Sequence, residues 1–446
     1  MEIQAIRTPG LGDTTYLVTH ETVAFIVDPQ RDIDRFESEI AALGLDLRCV
    51  LETHIHNDYL SGGRQLASRT GAELVIPAGA APVFRHRPAF HNEDIDLGSL
   101  VVRPLHTPGH TPEHVSYVVL IAGEPQAVFS GGSLLVGTAG RSDLLGQERA
   151  ETLARLQYGS VRRLAVLPDE TVLCPTHGAG SFCTVGSAGR LQSTIGDERS
   201  TNSALSHDDE ESFVSAHLSG LAPYPDYYRH MGPINLRGVA PMPGLDLQSI
   251  DPTQLSDLGD DIVIVDGRPA TAFANGHIPG SLGIELRSDF GVWVGWMVPF
   301  DSPLILVLDQ DQDAHEAVRQ LARIGFDRVL GVMTGLGGWS GPLETHRVAG
   351  TQEFADAVAS GAQIVDTRAP TEWMTGTIHG STLLYVPDIP DVAEDTLDRT
   401  RPVWVACATG FRAGITASLL AAQGFEPIVL ANGGVPEVLK AMTRDD

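Results

Sequence analysis

The chain has 446 residues, 42% of them hydrophobic and 20% charged, with 47 Gly and 28 Pro to make turns. This is a globular composition, too long for one core, so two to four domains are expected. A formal net charge of −27 argues against nucleic acid or an anionic membrane surface as partner, since both need a basic face.

Lys440 is the only lysine, and Cys49, Cys174, Cys183 and Cys407 make no dense disulfide framework. The opening "MEIQAIRTPGLGDTTYLV" has no charged segment followed by an apolar one, as a signal peptide would. No apolar run reaches the ~18 residues of a membrane span. A cytoplasmic location with free thiols is the resulting expectation.

Short β-type runs separated by Gly/Pro turns fill the first third, from "TTYLVTH" and "TVAFIVDP" to "ETVLCPTHG", with "IDRFESEIAALGL" reading as a helix among them. Histidines fall where strands end, where loops gather side chains into a site. "ETHIHNDYLSGG" holds His54, His56 and Asp58 in an H-x-H-x-D-H pattern whose last position is Tyr59. Further on come "HTPGHTPEH" with His110, "FSGGSLL" with Gly132, and "CPTHG" with His177. His91, His106 and His114 read as hydrogen-bonded loop or strand residues. Asp143 reads as a brace for Arg141, and Cys174 and Cys183 as buried structural thiols. A polar segment follows His177, and the Pro/Tyr-rich "LAPYPDYYRHMGPINLRGVAPMPG" reads as a linker or strap.

The rest is an internal repeat with an offset of about 100 residues. "IVIVDGRPATAFANGHIPGS" matches "AQIVDTRAPTEWMTGTIHGS", so Asp266 and Arg268 answer to Asp366 and Arg368. Alternating strand and helix predicts two small α/β domains with parallel sheets. In the second repeat, "VWVACATGFRAG" puts Cys407 at the end of a buried strand and the mouth of a helix. The loop is C-x-x-G-x-R: Cys407, Ala408, Thr409, Gly410, Phe411, Arg412. Its N–H groups and the helix N-terminus favour a thiolate. In the first repeat, "LILVLDQDQDAHEAV" places Asp309 where that cysteine would stand, and the repeat has no cysteine at all.

The repeats resemble the rhodanese family of sulfurtransferases, which implies that Cys407 carries sulfane sulfur and that Arg412 belongs to its anion-binding loop. The first third resembles the metallo-β-lactamase fold. The combination resembles the persulfide dioxygenase-like fusions of the two. The implied architecture is α/β: an N-terminal αββα sandwich with its strap over residues 1–235, an inactive rhodanese-like domain at 245–343, and an active one at 347–446.

The same resemblance implies a first metal site of His54, His56 and His110, with Asp58, Tyr59 and His177 as possible outer groups. Gly132 stands where a carboxylate ligand is expected, and Tyr59 where a histidine is. Two readings follow: one Fe(II) per chain, with Zn(II) as the substitute, or a metal-free scaffold. An aspartate restored at 132 is expected to tighten metal binding if its side chain faces the histidines. The implied function is oxidation of a low-molecular-weight thiol persulfide at a mononuclear metal, coupled to sulfur transfer through Cys407 to or from thiosulfate or sulfite. The alternatives are a sulfurtransferase with a metal-free first domain, and a glyoxalase II-like thioester hydrolase, which the two lost ligands disfavour. Small-molecule partners are expected, and a homo-oligomer is left open.

Overall fold

A computed structural model describes residues 1–185, 192–244, 246–257 and 261–443 of the chain. The expected start of the first repeat, at 245, and the end of the second, at 446, lie outside the described residues. Contacts divide the chain into two compact units, Met1–Pro243 with Arg319–Gly325, and Gly244–Val318 with Phe326–Asp446.

In the first unit, the period-two alternation of the strands builds the layers. Strands Glu2–Thr8, Asp13–His20, Val23–Val27, Asp46–Leu51, Glu73–Pro77 and Arg87–Ala89 form one six-stranded sheet in that order. The second sheet runs Ser193–Thr194, Val172–Pro175, Glu124–Gly131, Val115–Ile121, Val101–His106, Ile95–Asp96. Tyr16, Val18, Phe25 and Val27 of the first sheet share a core with Tyr117, Val119 and Phe129 of the second. The intervening Leu17, Ala24 and Ile26 face the other way, onto Phe36, Ile40 and Leu66 of two helices. Val118, Leu120 and Val128 likewise pack outward on Ala154, Val161 and Phe213. Helices therefore cover both outer faces, as the αββα expectation requires.

The stretch expected as a linker or strap is in part a helix, Tyr228–Arg237. Its Asn235 is buried, and Nδ2 donates to the carbonyls of His56 (2.8 Å) and Tyr59 (2.9 Å) while Oδ1 accepts the Ser61 N–H (2.9 Å). This helix is a brace for the histidine loop.

The second unit holds two all-parallel sheets. One orders Leu282–Gly283, Val263–Asp266, Leu304–Leu308, Val329–Thr334; the other Arg347–Ala349, Pro427–Leu430, Val403–Ala406, Gln363–Asp366, Thr382–Leu383. Each repeat is stapled in the same way. Arg268 pairs with Asp266 and donates to the Gly276 carbonyl at 2.8 Å; Arg368 pairs with Asp366 and donates to Gly376 at 2.6 Å.

The sheet register corrects one expectation. Asp266 pairs with Val307, and Asp366 with Ala406. The residue after each is therefore equivalent, and Leu308, not Asp309, holds the place of Cys407. Backbone bonding agrees: the Val307 carbonyl accepts from Gly267 (2.8 Å) as the Ala406 carbonyl does from Thr367 (2.9 Å), each donor being the residue after the stapled aspartate. Among the described residues, no helix is long and apolar enough to cross a membrane.

Candidate functional site

Strand Asp46–Leu51 delivers the loop that carries His54, His56, Asp58 and Tyr59, all buried. Asp28, at a positive φ of 52° after strand Val23–Val27, anchors this loop. Its carboxylate accepts the Thr53 N–H and the Thr53 hydroxyl, both at 2.7 Å, and a hydroxyl bond from Thr176. Because the Thr53 proton goes to Asp28, Thr53 Oγ1 is the acceptor for His54 Nδ1 at 2.9 Å. His110 gives its Nδ1 proton to the Arg141 carbonyl at 2.7 Å, and His177 gives its own to Asp13 at 2.8 Å. All three rings thus turn Nε2 away from these partners. His54 Nε2 and His177 Nε2 face each other at 3.4 Å, and His110 Nε2 is buried with no partner.

His56 is placed differently. Its Nε2 lies 3.2 Å from Glu52, 3.3 Å from Asp28 and 3.0 Å from the Tyr59 hydroxyl, and the Tyr59 ring stacks on it at 4.2 Å. Burial alone would strip its proton, but Asp28 and Glu52 outweigh burial and hold His56 well above the usual histidine range. His54 and His114 are driven down by burial and by neighbouring rings, and His110 falls to about 3. His177 is pushed up to about 10 by Asp58 and Asp13 against the effect of burial. Burial and the Asp58 charge raise Asp13 to about 8.

Among the described residues, three groups bring candidate ligand atoms within 4.8 Å of one another: His54/His110/His177, Asp28/His54/His56 and His56/Asp58/His177. The first histidine of the signature and His110 come together, but with His177; the set His54/His56/His110 does not recur as a group. Imidazole nitrogens with nearby carboxylates suit Fe(II) or Zn(II), and the orphaned His110 Nε2 fits a ring held by a metal. Gly132 faces the cluster, as expected, but a Cβ there would sit 2.2 Å from His110 Cδ2. The imidazole fills the space an aspartate would need.

His114 is a hydrogen-bonded bystander, with Nδ1 on the Thr107 hydroxyl and Nε2 accepting the Gly132 N–H, each at 2.9 Å. Arg141 and Asp143 form a buried bidentate pair at 2.7 and 2.8 Å. Burial raises Cys174 to about 12 and Cys183 above the thiol range, so neither is a thiolate at neutral pH. Sequence reading missed Asp13, Asp28, Glu52 and Asn235. The first three stand beside quoted motifs, and a buried acid at a strand end was their only signal.

In the second unit, Cys407 follows strand Val403–Ala406 and precedes helix Phe411–Ala422. Gly410 takes φ 93°, which a side chain disfavours, and its N–H points at Cys407 Sγ, 3.1 Å away. The Arg412 guanidinium binds both oxygens of Glu372, at 2.5 and 2.8 Å. Its hydrogen bonds go to this carboxylate and hold the loop from outside. Cys407 is 1% exposed. A cleft of about 270 Å³ runs along the loop at Thr409, Gly410 and Phe411, with Thr271 and Arg287 of the first repeat opposite. Arg287 lies over the Phe411 ring at 4.3 Å.

The family profile described as metallo-beta-lactamase superfamily matches residues 8–177, and that of the rhodanese-like domain matches 251–341 and 351–441. The chain is 34% identical to a probable metallo-hydrolase of Burkholderia pseudomallei over 38% of this chain and 64% of that one. It is 33% identical to a hydroxyacylglutathione hydrolase of Acidiphilium cryptum over 38% of this chain and 67% of that one. A solved metallo-beta-lactamase from Staphylococcus aureus is 28% identical, covering 75% of this chain and 99% of its own, with a TM-score of 0.67. The chain spans 64% and 62% of the lengths of the first curated relatives it matches. It belongs to the metallo-beta-lactamase superfamily and carries two rhodanese-like domains behind that domain.

Proposed function

We propose that this protein handles sulfane sulfur, with Cys407 as the carrier and the histidine cluster as a mononuclear centre that oxidises a low-molecular-weight thiol persulfide. The observation that supports it most is the Gly410 N–H aimed at Cys407 Sγ at the mouth of a helix, because this stabilises a sulfur anion. In the transfer step, the Cys407 thiolate attacks the outer sulfur of a persulfide, RSS⁻. A new S–S bond forms at Cys407 and RS⁻ leaves. Sulfite then takes the outer sulfur as thiosulfate, and the thiolate returns. The near-complete burial of Cys407 restricts donors to small molecules.

When bound, Fe(II) would supply O₂ binding and activation beside the persulfide. His54, His110 and His177 are the residues whose Nε2 atoms are oriented to hold it, through protons committed to Thr53, Arg141 and Asp13. The absence of a carboxylate at Gly132 favours a second reading, in which the first unit is catalytically silent and the chain is a sulfurtransferase alone. Oxygen uptake on a low-molecular-weight persulfide with iron-loaded protein separates the two. Uptake above that of a His110→Ala variant supports the first reading, and equal uptake leaves only the second.

A further inference from the structure

Hydrogen-bond partners and the spacing of the ring nitrogens, taken together, sort the histidines around the site. An imidazole serves a metal through a nitrogen that carries no proton, and the other nitrogen must give its proton to an acceptor. His54, His110 and His177 each place Nδ1 on a group that takes its proton, which leaves Nε2 as the atom for a metal. A carbonyl, a carboxylate, and a hydroxyl whose own proton is already donated can only accept from them. One ring nitrogen from each of the three lies within 4.8 Å of the others, and the Nε2 atoms of His54 and His177 are 3.4 Å apart. His56 turns its Nε2 into a cage of Glu52, Asp28 and Tyr59, and the ligand groups it joins, with Asp28 and His54 or with Asp58 and His177, do not include His110. Tyr59, the residue that breaks the H-x-H-x-D-H signature, is itself a wall of that cage.

We propose that the first unit binds a single divalent transition-metal ion on His54, His110 and His177, with His56 held outside the coordination set by Asp28, Glu52 and Tyr59. This rests on the reading of the first unit as a metal centre and deepens it by naming the ligands. His177 thereby supplies the third donor that Gly132 does not. The collision between a Cβ at Gly132 and the His110 ring means that the two features are linked, since the ring occupies the space that a carboxylate would need.

The test is titration of chelator-stripped full-length protein with Co(II), followed by its visible absorption and by equilibrium metal content. The parent should take up one Co(II) per chain. His110→Ala and His177→Ala should each weaken binding by at least about a hundredfold, the upper end for loss of a supporting group. His56→Ala and Asp58→Asn should keep the stoichiometry and stay within about tenfold of the parent, the lower end of that range. Gly132→Asp should weaken binding, because it displaces His110; a tighter site would mean that a carboxylate belongs in the set. X-ray absorption on the unmutated protein guards against variants that misfold, and three imidazole donors are expected.

Loss of Co(II) in His56→Ala as complete as in His110→Ala would overturn the ligand set while leaving a metal centre in place. So would one carboxylate and two imidazoles on the unmutated protein. A folded parent that binds no Co(II) would overturn the ligand set and the metal reading together.

Discussion

The two rhodanese-like repeats share a scaffold and part most clearly at the loop that follows strands Leu304–Leu308 and Val403–Ala406. Both keep the Asp–Arg staple onto a glycine carbonyl, both run all-parallel sheets, and in both the residue after the stapled aspartate donates to the neighbouring strand, Gly267 to Val307 and Thr367 to Ala406. From the register, Leu308 stands for Cys407, Gln312 for Phe411 and Asp313 for Arg412, and the same offset carries Gly325 onto Gly424 with no insertion between. In the Cys407 loop, an N–H meets sulfur and a guanidinium is clamped by Glu372. In the other loop, Gln312 bonds the Asp309 N–H at 2.8 Å and the Gly267 carbonyl at 2.7 Å, and so ties the loop to the neighbouring strand end. Asp313 is spent as a helix cap on His315 and Glu316. The staple and the parallel sheet thus recur in both repeats while the loop residues do not, as expected where a site is grafted on a shared fold.

The comparison breaks most sharply at the sulfur. Cys407→Ser should bring sulfur transfer from thiosulfate to cyanide down to background while leaving oxygen uptake on a persulfide in place; both rates can be read on one preparation. Glu372→Gln should cost up to about a hundredfold in transfer, because Arg412 loses its bidentate partner and the loop its outer support. Its readout is kcat against unchanged thermal stability.

Leu308→Cys places a thiol at the equivalent position, yet it should show no transfer above the Cys407→Ser background when made in that variant. Gln312 still ties the loop, and Asp313 brings a negative charge where Arg412 stands. Measurable loading of that cysteine with sulfur would mean that the position alone, and not the loop, makes the carrier. Gly410→Ala should cost about 1–2 kcal/mol in stability, the cost of a side chain in left-handed backbone, and its Cβ would also press on the Leu430 carbonyl at 3.1 Å. Chemical denaturation measures this. The smallest effect belongs to Gln312→Ala, about 1 kcal/mol from two hydrogen bonds in a half-buried loop, with no gain of transfer.

Much of this was legible in the sequence, for physical reasons. The αββα layers were legible through the resemblance to the metallo-β-lactamase fold, and the repeat through the Asp–Arg–Gly spacing that the staple requires. Cys407 was legible because a cysteine followed by glycine and arginine at that spacing has few other uses. Leu308 was not, because "DQDQD" has no glycine or arginine to anchor an alignment, and only the ladder between strands fixes the count. In the first unit, the order of the motifs pointed to His54, His56 and His110 as the metal site and to His177 as an outer group. The role of each depended on where its second nitrogen points, which is set by Asp13, Asp28 and Arg141 from distant parts of the chain. Asn235 was hidden for a similar reason: a Pro/Tyr-rich stretch resembles a linker until its side chain is seen holding the loop of His56 and Tyr59.

The central claim, that Cys407 is the sulfur carrier, is tested most directly by mass spectrometry of the protein after exposure to a low-molecular-weight persulfide and removal of excess reagent. One added sulfur atom per chain is expected, on the peptide containing Cys407, and it should disappear on treatment with sulfite as thiosulfate forms. Cys49, Cys174 and Cys183 should remain unmodified, since all three are buried and their thiols are held in the protonated form. Sulfur on any of those three with Cys407 unmodified, or a Cys407 adduct that sulfite does not discharge, would contradict the account.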